Sequence, residues 1–118
     1  MSAPLMPAAF IGHGSPMNTL EVNRFTGAWR ALGRSLPRPR AILAISAHWT
    51  IDGSRVTAMA APRVIHDFSG FPKALSDFDY PAPGDPVIAR EVADVVKPSF
   101  VALDESSWGI DHGTWSVL

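Results

Sequence analysis

The sequence predicts an α/β domain with a mostly parallel central sheet flanked by helices. Two short runs, residues 7–11 and 41–45, are continuously apolar, as in strands that are buried on both faces of a sheet. An amphipathic segment lies between them, and the order strand, helix, strand is that of a βαβ unit. A right-handed crossover would place the two strands parallel and close together.

The composition is that of one small globular domain. The 118 residues suffice for a single modest core, and 47% hydrophobic with 18% charged residues excludes a disordered chain. The net charge of −1, without a local cluster of lysine and arginine, argues against a nucleic-acid surface. No apolar stretch reaches the roughly 20 residues that span a bilayer, so no membrane partner is expected. Residues 1–5 lack a signal-peptide pattern, and we expect a cytoplasmic protein.

The first helix is predicted from an apolar stripe between the two strands. Strand one covers residues 7–12, Ser15 is the expected N-cap, and Pro16 suits the first helical position. Gly33 is the expected C-cap, and strand two covers residues 41–47. The stripe consists of Val22, Phe25, Ala28, Trp29 and Leu32.

Further elements are expected after His48. Asp85 is expected to cap a helix that begins at Pro86. Prolines and glycines between residues 62 and 83 indicate a long loop, which carries a short helix at 73–78. The expected strands are residues 54–59 and 100–103, and residues 107–115 form a polar and aromatic segment with another histidine.

His13 and His48 each stand where a predicted strand ends. Their separation of 35 residues suits a βαβ unit, so both imidazoles are expected at the carboxyl edge of the sheet, where α/β proteins bind ligands. A single histidine there is more often structural, but two at one edge favour shared metal binding. Because the chain has no cysteine, metal ligands must be His, Asp or Glu, and imidazole suits Zn, Fe, Cu or Ni.

Other residues are weaker candidates. Asp52 is more typical of a turn than of a ligand, and His66-Asp67 is interpreted as a surface or loop-bracing pair. His112 could serve as acid, base or hydrogen-bond partner of a substrate. Trp108 and Trp115 are interpreted equally as an aromatic substrate wall or as packing.

Several familiar motifs are missing. Ser15 and Ser46 lack the nucleophile-elbow pattern of serine hydrolases. The sequence contains no P-loop, and Gly12-His13-Gly14 is not a dinucleotide fingerprint, so no nucleotide cofactor is expected.

Five motifs in order carry a resemblance to a known family. They are Gly12-His13-Gly14-Ser15-Pro16-Met17, Ser46-Ala47-His48-Trp49, His66-Asp67-Phe68-Ser69-Gly70-Phe71-Pro72, Tyr80-Pro81-Ala82-Pro83-Gly84 and Trp108-Gly109-Ile110-Asp111-His112-Gly113. Together they resemble the class III extradiol ring-cleavage dioxygenases, closest to the bacterial 4,5-DOPA extradiol dioxygenase-like group. The resemblance implies catalytic Fe(II), with zinc found in related proteins, and cleavage of a DOPA-like catechol by O₂.

The resemblance also implies roles for individual residues. His13 and His48 match two metal ligands, a third His or Glu comes from the family's C-terminal half, and His112 matches an active-site histidine that contacts substrate or oxygen. The chain stops on apolar residues, so we expect residues 1–118 to be the N-terminal part of a truncated catalytic domain whose C-terminal half is absent. The alternatives are a non-catalytic metal-binding scaffold on the same fold and a zinc-dependent hydrolase.

Overall fold

Four helices and four short strands form an α/β arrangement within residues 5–118, the part of the chain that this computed structural model describes. The expectation drawn from the first five residues therefore lies mostly outside the described part. The helices are α1 (Arg24–Ser35), α2 (Lys73–Ser76), α3 (Pro86–Val95) and α4 (His112–Trp115). The strands are β1 (Arg55–Thr57), β2 (Arg63–Val64), β3 (Ala102–Asp104) and β4 (Gly109–Ile110).

The strands pair in parallel, as the sequence predicts. β1 pairs with β3, with Val56 opposite Leu103, and β2 pairs with β4, with Val64 opposite Ile110. Each ladder is a two-stranded sheet. Helix α3 lies between β1 and β3 in the chain and packs against both strands, so these elements form the βαβ unit of the described residues. The buried apolar side chains are Ala58, Leu75, Ala89 and Trp115.

The two predicted strands at residues 7–12 and 41–47 are not paired in the structure. Both segments run without ladder hydrogen bonds to any described residue, and Phe10 and Ile45 are almost fully exposed. A parallel strand needs a partner at its edge and helices over its faces, and neither segment has them within residues 5–118. The prediction of strands there is wrong for this structure, although the chain still carries a histidine at the end of each run.

The first helix begins later than predicted. Ser15 caps only a short 3-10 helix, Pro16–Thr19, by accepting a hydrogen bond from the Met17 N–H. The α-helix starts after Asn23, whose side chain accepts from the N–H groups of Phe25 and Thr26 in a capping box. Gly33 lies inside α1 and is not its C-cap.

The later helices agree with the sequence more closely. Asp85 caps α3 as predicted, accepting hydrogen bonds from the N–H groups of Val87 and Ile88. The predicted helix at 73–78 is the single turn α2, and the predicted strand at 54–59 is the shorter β1. The strand predicted at 100–103 is shifted, since β3 covers Ala102–Asp104. Among the described residues, no helix has the length and apolar character needed to cross a membrane.

Candidate metal centre

Three histidines from distant parts of the chain come together. His13 precedes the 3-10 helix, His48 lies in a turn after the unpaired run 41–46, and His112 is the first residue of α4. Each offers one ring nitrogen, and these nitrogens all lie within 4.8 Å of one another. His112 is buried, His13 is half-buried and His48 is exposed. The structure therefore brings together all three histidines that the sequence singled out.

The distance between His13 and His48 fits a shared metal ion. Their Nε2 atoms lie 3.0 Å apart. An imidazole nitrogen binds zinc at about 2.1 Å, so two nitrogens this close could both reach one ion. Two neutral imidazole nitrogens form a donor set that suits iron or zinc. The residues present thus fit a metal of the predicted kind.

The backbone around His13 is held by a pair of asparagines. The Asn18 side chain donates to the His13 carbonyl at 3.0 Å, and Asn23 donates to the Asn18 side-chain oxygen at 2.8 Å. Asn23 is also the cap of α1. The turn passes through Gly14 at φ +63°, a left-handed conformation that glycine adopts readily. His13 is in this way connected to the start of the first helix.

His48 is held through a buried carboxylate. Ser46 Oγ accepts from the His48 backbone N–H at 3.2 Å and donates to Asp111 Oδ1 at 2.6 Å. Asp111 is 2% exposed and also accepts from the Gly113 N–H and the Trp108 indole N–H. The same carboxylate therefore connects the turn of His48 with the turn that precedes His112.

His112 is held by Asp67. Asp67 Oδ1 accepts from the His112 backbone N–H at 3.2 Å and lies 2.6 Å from His112 Nδ1. Burial raises the pKa of the Asp67 carboxyl, but the hydrogen bonds from the His112 side chain and backbone outweigh it and hold that pKa below its usual range. Asp67 is thus an ionised acceptor beside the buried ring.

Close packing brings the rings together. The centroids of His48 and His112 are 4.1 Å apart, and a Cβ added at Gly113 would lie 2.7 Å from His48 Cδ2. A residue larger than glycine would therefore collide with a ring of the cluster.

The sequence interpretation missed part of this site. The sequence interpretation treats Asp67 as a surface or loop-bracing residue, yet it contacts a histidine of the cluster. It assigns no role to Ser46 or Asp111, which bond to each other beside His48. The only signal in the sequence was their position inside the motifs that contain His48, His66 and His112. Asp52 lies outside the three-histidine group, in agreement with its interpretation as a turn residue.

The two tryptophans have different surroundings. Trp115 is 1% exposed, stacks on Phe78 and donates its indole N–H to the Ile65 carbonyl, so it packs the core and does not form a substrate wall. Trp108 is half-buried and lies parallel to Trp49, with centroids 5.8 Å apart. Trp49, one member of this pair, directly follows His48 in the chain.

A family model described as the catalytic LigB subunit of aromatic ring-opening dioxygenase matches residues 8–117. The chain belongs to the LigB family. The resemblance to class III extradiol dioxygenases is therefore confirmed, and the α/β prediction agrees with it.

Individual proteins that are similar to this chain also carry the name of an extradiol dioxygenase. The chain is 55% identical over 118 residues to a protein from Escherichia coli (strain K12) named 4,5-DOPA dioxygenase extradiol, covering 100% of this chain and 44% of that protein. It is 38% identical over 115 residues to a protein of the same name from Beta vulgaris, covering 92% of this chain and 42% of that protein.

A solved structure also supports the similarity in fold. A crystal structure of an uncharacterized protein from Escherichia coli K12 superposes with a TM-score of 0.66 at 43% identity, covering 88% of this chain and 37% of that chain. The chain thus spans less than half the length of each of these relatives.

Proposed function

We propose that the chain carries part of the active site of an extradiol dioxygenase, which opens the ring of a DOPA-like catechol with O₂ and Fe(II). The observation that carries the proposal is the meeting of His13, His48 and His112 within 4.8 Å. The 55% identity to a protein named 4,5-DOPA dioxygenase extradiol supports the reaction and the substrate class. The corresponding proposal for the domain is that residues 1–118 form the N-terminal part of a catalytic domain of this kind.

The proposed metal ligands are His13 and His48. Their Nε2 atoms lie 3.0 Å apart, close enough for both to bind one ion. When bound, Fe(II) would supply a Lewis-acidic centre for the chemistry of a catechol and O₂, and zinc is the other metal that these imidazoles could hold. The chain's own contribution is to hold the two imidazoles: Asn18 fixes the backbone of His13, and Ser46 fixes that of His48.

His112 is proposed as the residue that contacts substrate or oxygen. Its Nδ1 is engaged by Asp67, so Nε2 is the nitrogen that remains for a hydroxyl group of the catechol. The ring is buried and packs against His48, which limits its freedom to rotate. A catalytic hydrogen-bonding group works best when it is held in place before the substrate arrives.

Substitution of either proposed ligand is expected to abolish tight metal binding. His13→Ala and His48→Ala each remove an imidazole, and the affinity should fall by more than the roughly 10- to 100-fold that accompanies the loss of a supporting hydrogen bond. Metal content after dialysis measures the effect. His66→Ala is the matched control, since His66 lies outside the three-histidine group and should keep wild-type content. Near wild-type content in both ligand variants would contradict the assignment.

Because a third ligand is expected from a C-terminal half, the reaction is tested in residues 1–118 supplied with such a half and with Fe(II), by oxygen uptake with a catechol together with the yellow ring-fission product. Uptake that is lost in His13→Ala supports the proposal. Zinc-dependent ester or amide hydrolysis without oxygen uptake would favour the hydrolase instead. Metal binding with neither activity would favour the scaffold. Cell fractionation tests the accompanying proposal of a cytoplasmic location.

A further inference from the structure

We propose that Asp67 is a positioning residue: it holds the His112 proton on Nδ1 and thereby presents a lone pair at Nε2 to the cluster of histidines. The catalytic meaning of this arrangement rests on the proposed function. The tautomer itself is a property of the folded chain and is measurable without any activity.

The hydrogen bonds of Asp67 indicate which ring nitrogen of His112 carries the proton. One oxygen, Oδ1, is 2.6 Å from His112 Nδ1 and accepts from the His112 backbone N–H at 3.2 Å. An ionised carboxylate has no proton to donate, so the hydrogen in the short contact must belong to Nδ1. Hydrogen bonds to a charged acceptor are shorter than those between neutral groups, in agreement with this short contact. The neutral ring is then the Nδ1–H tautomer.

Burial shields the hydrogen bond between Asp67 and His112, and the register of β2 and β4 brings the two residues together. The side chains of His112 and Asp67 are 8% and 20% exposed, so water competes little for their hydrogen bond. Strands β2 and β4 are parallel, and the Ile65 N–H extends their ladder by donating to the Ile110 carbonyl at 2.8 Å. Because paired parallel strands run in one direction, the residues after their carboxyl ends emerge at the same edge of the sheet. Asp67 and His112 therefore meet because each comes two residues after this extended ladder.

Nε2, the other ring nitrogen of His112, stays available for a further hydrogen bond. Within residues 5–118, His112 Nε2 makes no hydrogen bond, whereas Nδ1 is committed to Asp67. The ring packs at 4.1 Å from His48 and 5.4 Å from His13, measured between centroids. Nε2 can then accept a hydrogen bond from a hydroxyl bound at the His13 and His48 pair. Without Asp67 the ring could carry its proton on Nε2 and lose this acceptor.

His66 provides an internal comparison. Its Nε2 lies 2.7 Å from the Phe78 carbonyl oxygen, which can only accept, so His66 must carry its proton on Nε2. The two histidines are thus expected in opposite tautomers, and one spectrum reports both.

The experiment is long-range ¹H–¹⁵N NMR of the ¹⁵N-labelled protein, metal-free and zinc-loaded. In the wild type we expect a protonated, pyrrole-type Nδ1 for His112 and a protonated Nε2 for His66. Asp67→Ala and Asp67→Leu remove the acceptor, and the His112 Nδ1 resonance should move toward the unprotonated, pyridine-type range. Asp67→Asn keeps a carbonyl acceptor and should restore the Nδ1–H form.

Asp77→Asn is the matched control, because it removes an exposed carboxylate that pairs with Lys73 at the surface. Its His112 signals should equal those of the wild type. A wild-type His112 that is protonated on Nε2, or one whose tautomer is the same in Asp67→Ala and Asp67→Leu, would overturn the proposal. If neither of these variants folds, the wild-type spectrum and that of Asp67→Asn decide it in the same way.

Kinetics give the second readout. In the ring-cleavage assay, Asp67→Ala should lower kcat/KM by about 10- to 100-fold with metal content unchanged, which is the range seen when the supporting partner of a metal-site histidine is removed. Asp67→Asn should recover part of this loss. Residues 1–118 completed by a C-terminal half and still without ring cleavage would contradict the proposed function while leaving the tautomer result intact. Equal kcat/KM in Asp67→Ala and wild type would overturn the positioning role.

Discussion

Single carboxylates hold this site together at the scale of the residue. Asp111 accepts hydrogen bonds from the Ser46 hydroxyl, the Gly113 N–H and the Trp108 indole, and it is almost wholly buried. A buried acceptor with several donors is costly to replace, because each donor left unpaired loses its hydrogen bond. The position of His48 therefore depends on a residue 65 positions away from Ser46.

The close packing at Gly113 predicts that a single added methyl group disturbs the site. A Cβ there would lie 2.7 Å from both His48 Cδ2 and Ser46 Oγ, so Gly113→Ala must displace the His48 turn. We expect a loss of about 1–3 kcal/mol in the free energy of unfolding from overpacking, and a loss in metal affinity of about 10- to 100-fold. Thermal unfolding and metal titration measure the two effects.

Gly27→Ala is the control for this substitution. A Cβ at Gly27, inside α1, meets nothing within 4 Å, and alanine favours the helix. Its stability should equal or exceed that of the wild type and its metal affinity should be unchanged. Should Gly113→Ala bind metal as tightly as Gly27→Ala, the close approach to His48 has no functional weight.

The connection from β3 to β4 is the element that leads the chain toward His112. Asp104, at the end of β3, is 3% exposed and accepts from the N–H groups of Ser106, Ser107 and Trp108 as well as from the Ser107 hydroxyl. Burial raises the pKa of Asp104, but these hydrogen bonds outweigh it and hold the pKa below its ordinary value of 3.8. The turn is thus stabilised by the ionised form.

This shift predicts an acid-dependent loss of stability. A carboxyl whose pKa is lower in the folded than in the unfolded chain stabilises the fold above pH 3.8, and the contribution is lost as the pH falls through the folded-state pKa. Asp104→Asn removes this dependence and should cost about 1–3 kcal/mol near pH 7, because the amide leaves a backbone N–H without an acceptor. Urea unfolding between pH 3 and 7 measures both.

The control is Asp52→Asn, which changes an exposed carboxyl in a separate turn. Its free energy of unfolding near pH 7 should equal that of the wild type. If the curves of wild type and Asp104→Asn remain parallel below pH 4, the Asp104 hydrogen bonds do not contribute to the pH dependence as inferred.

For the molecule as a whole, the histidine cluster is where three segments meet. The runs before His13 and His48 have no strand partner among the described residues, and Phe10 and Ile45 are exposed. A metal held by both histidines would connect these two runs to each other. Since a ligand that binds only the folded chain stabilises it, metal and stability should be coupled.

Metal addition is therefore expected to raise the Tm. At a free metal concentration of about 100 times Kd the gain is about 2.7 kcal/mol, which corresponds to roughly 10 °C for a chain of this size. Differential scanning calorimetry with zinc and with a chelator measures the shift. His48→Ala should show no zinc-dependent shift, and an equal shift in that variant and the wild type would place the metal elsewhere.

Local signals in the sequence predicted more of the helices than of the strands. Asp85 and Pro86 mark the start of α3 because capping is decided by neighbours in the chain. The strands behave differently: residues 7–12 have a strand's composition but no partner among residues 5–118, while β2 and β4 have only two residues each and carry no readable pattern. Pairing depends on distant residues, so it could not be inferred locally.

The amino-acid sequence alone was sufficient to select His13, His48 and His112 and to indicate the family, because residue type and spacing within short motifs carry that information. Only the tertiary structure decided which acidic residues hold these histidines in place. Asp67 meets His112 across 45 positions, and Ser46 meets Asp111 across 65. These contacts result from the register of the parallel strands and from the small size of Gly113. Both depend on how the elements pack, and not on residues that are neighbours in the chain.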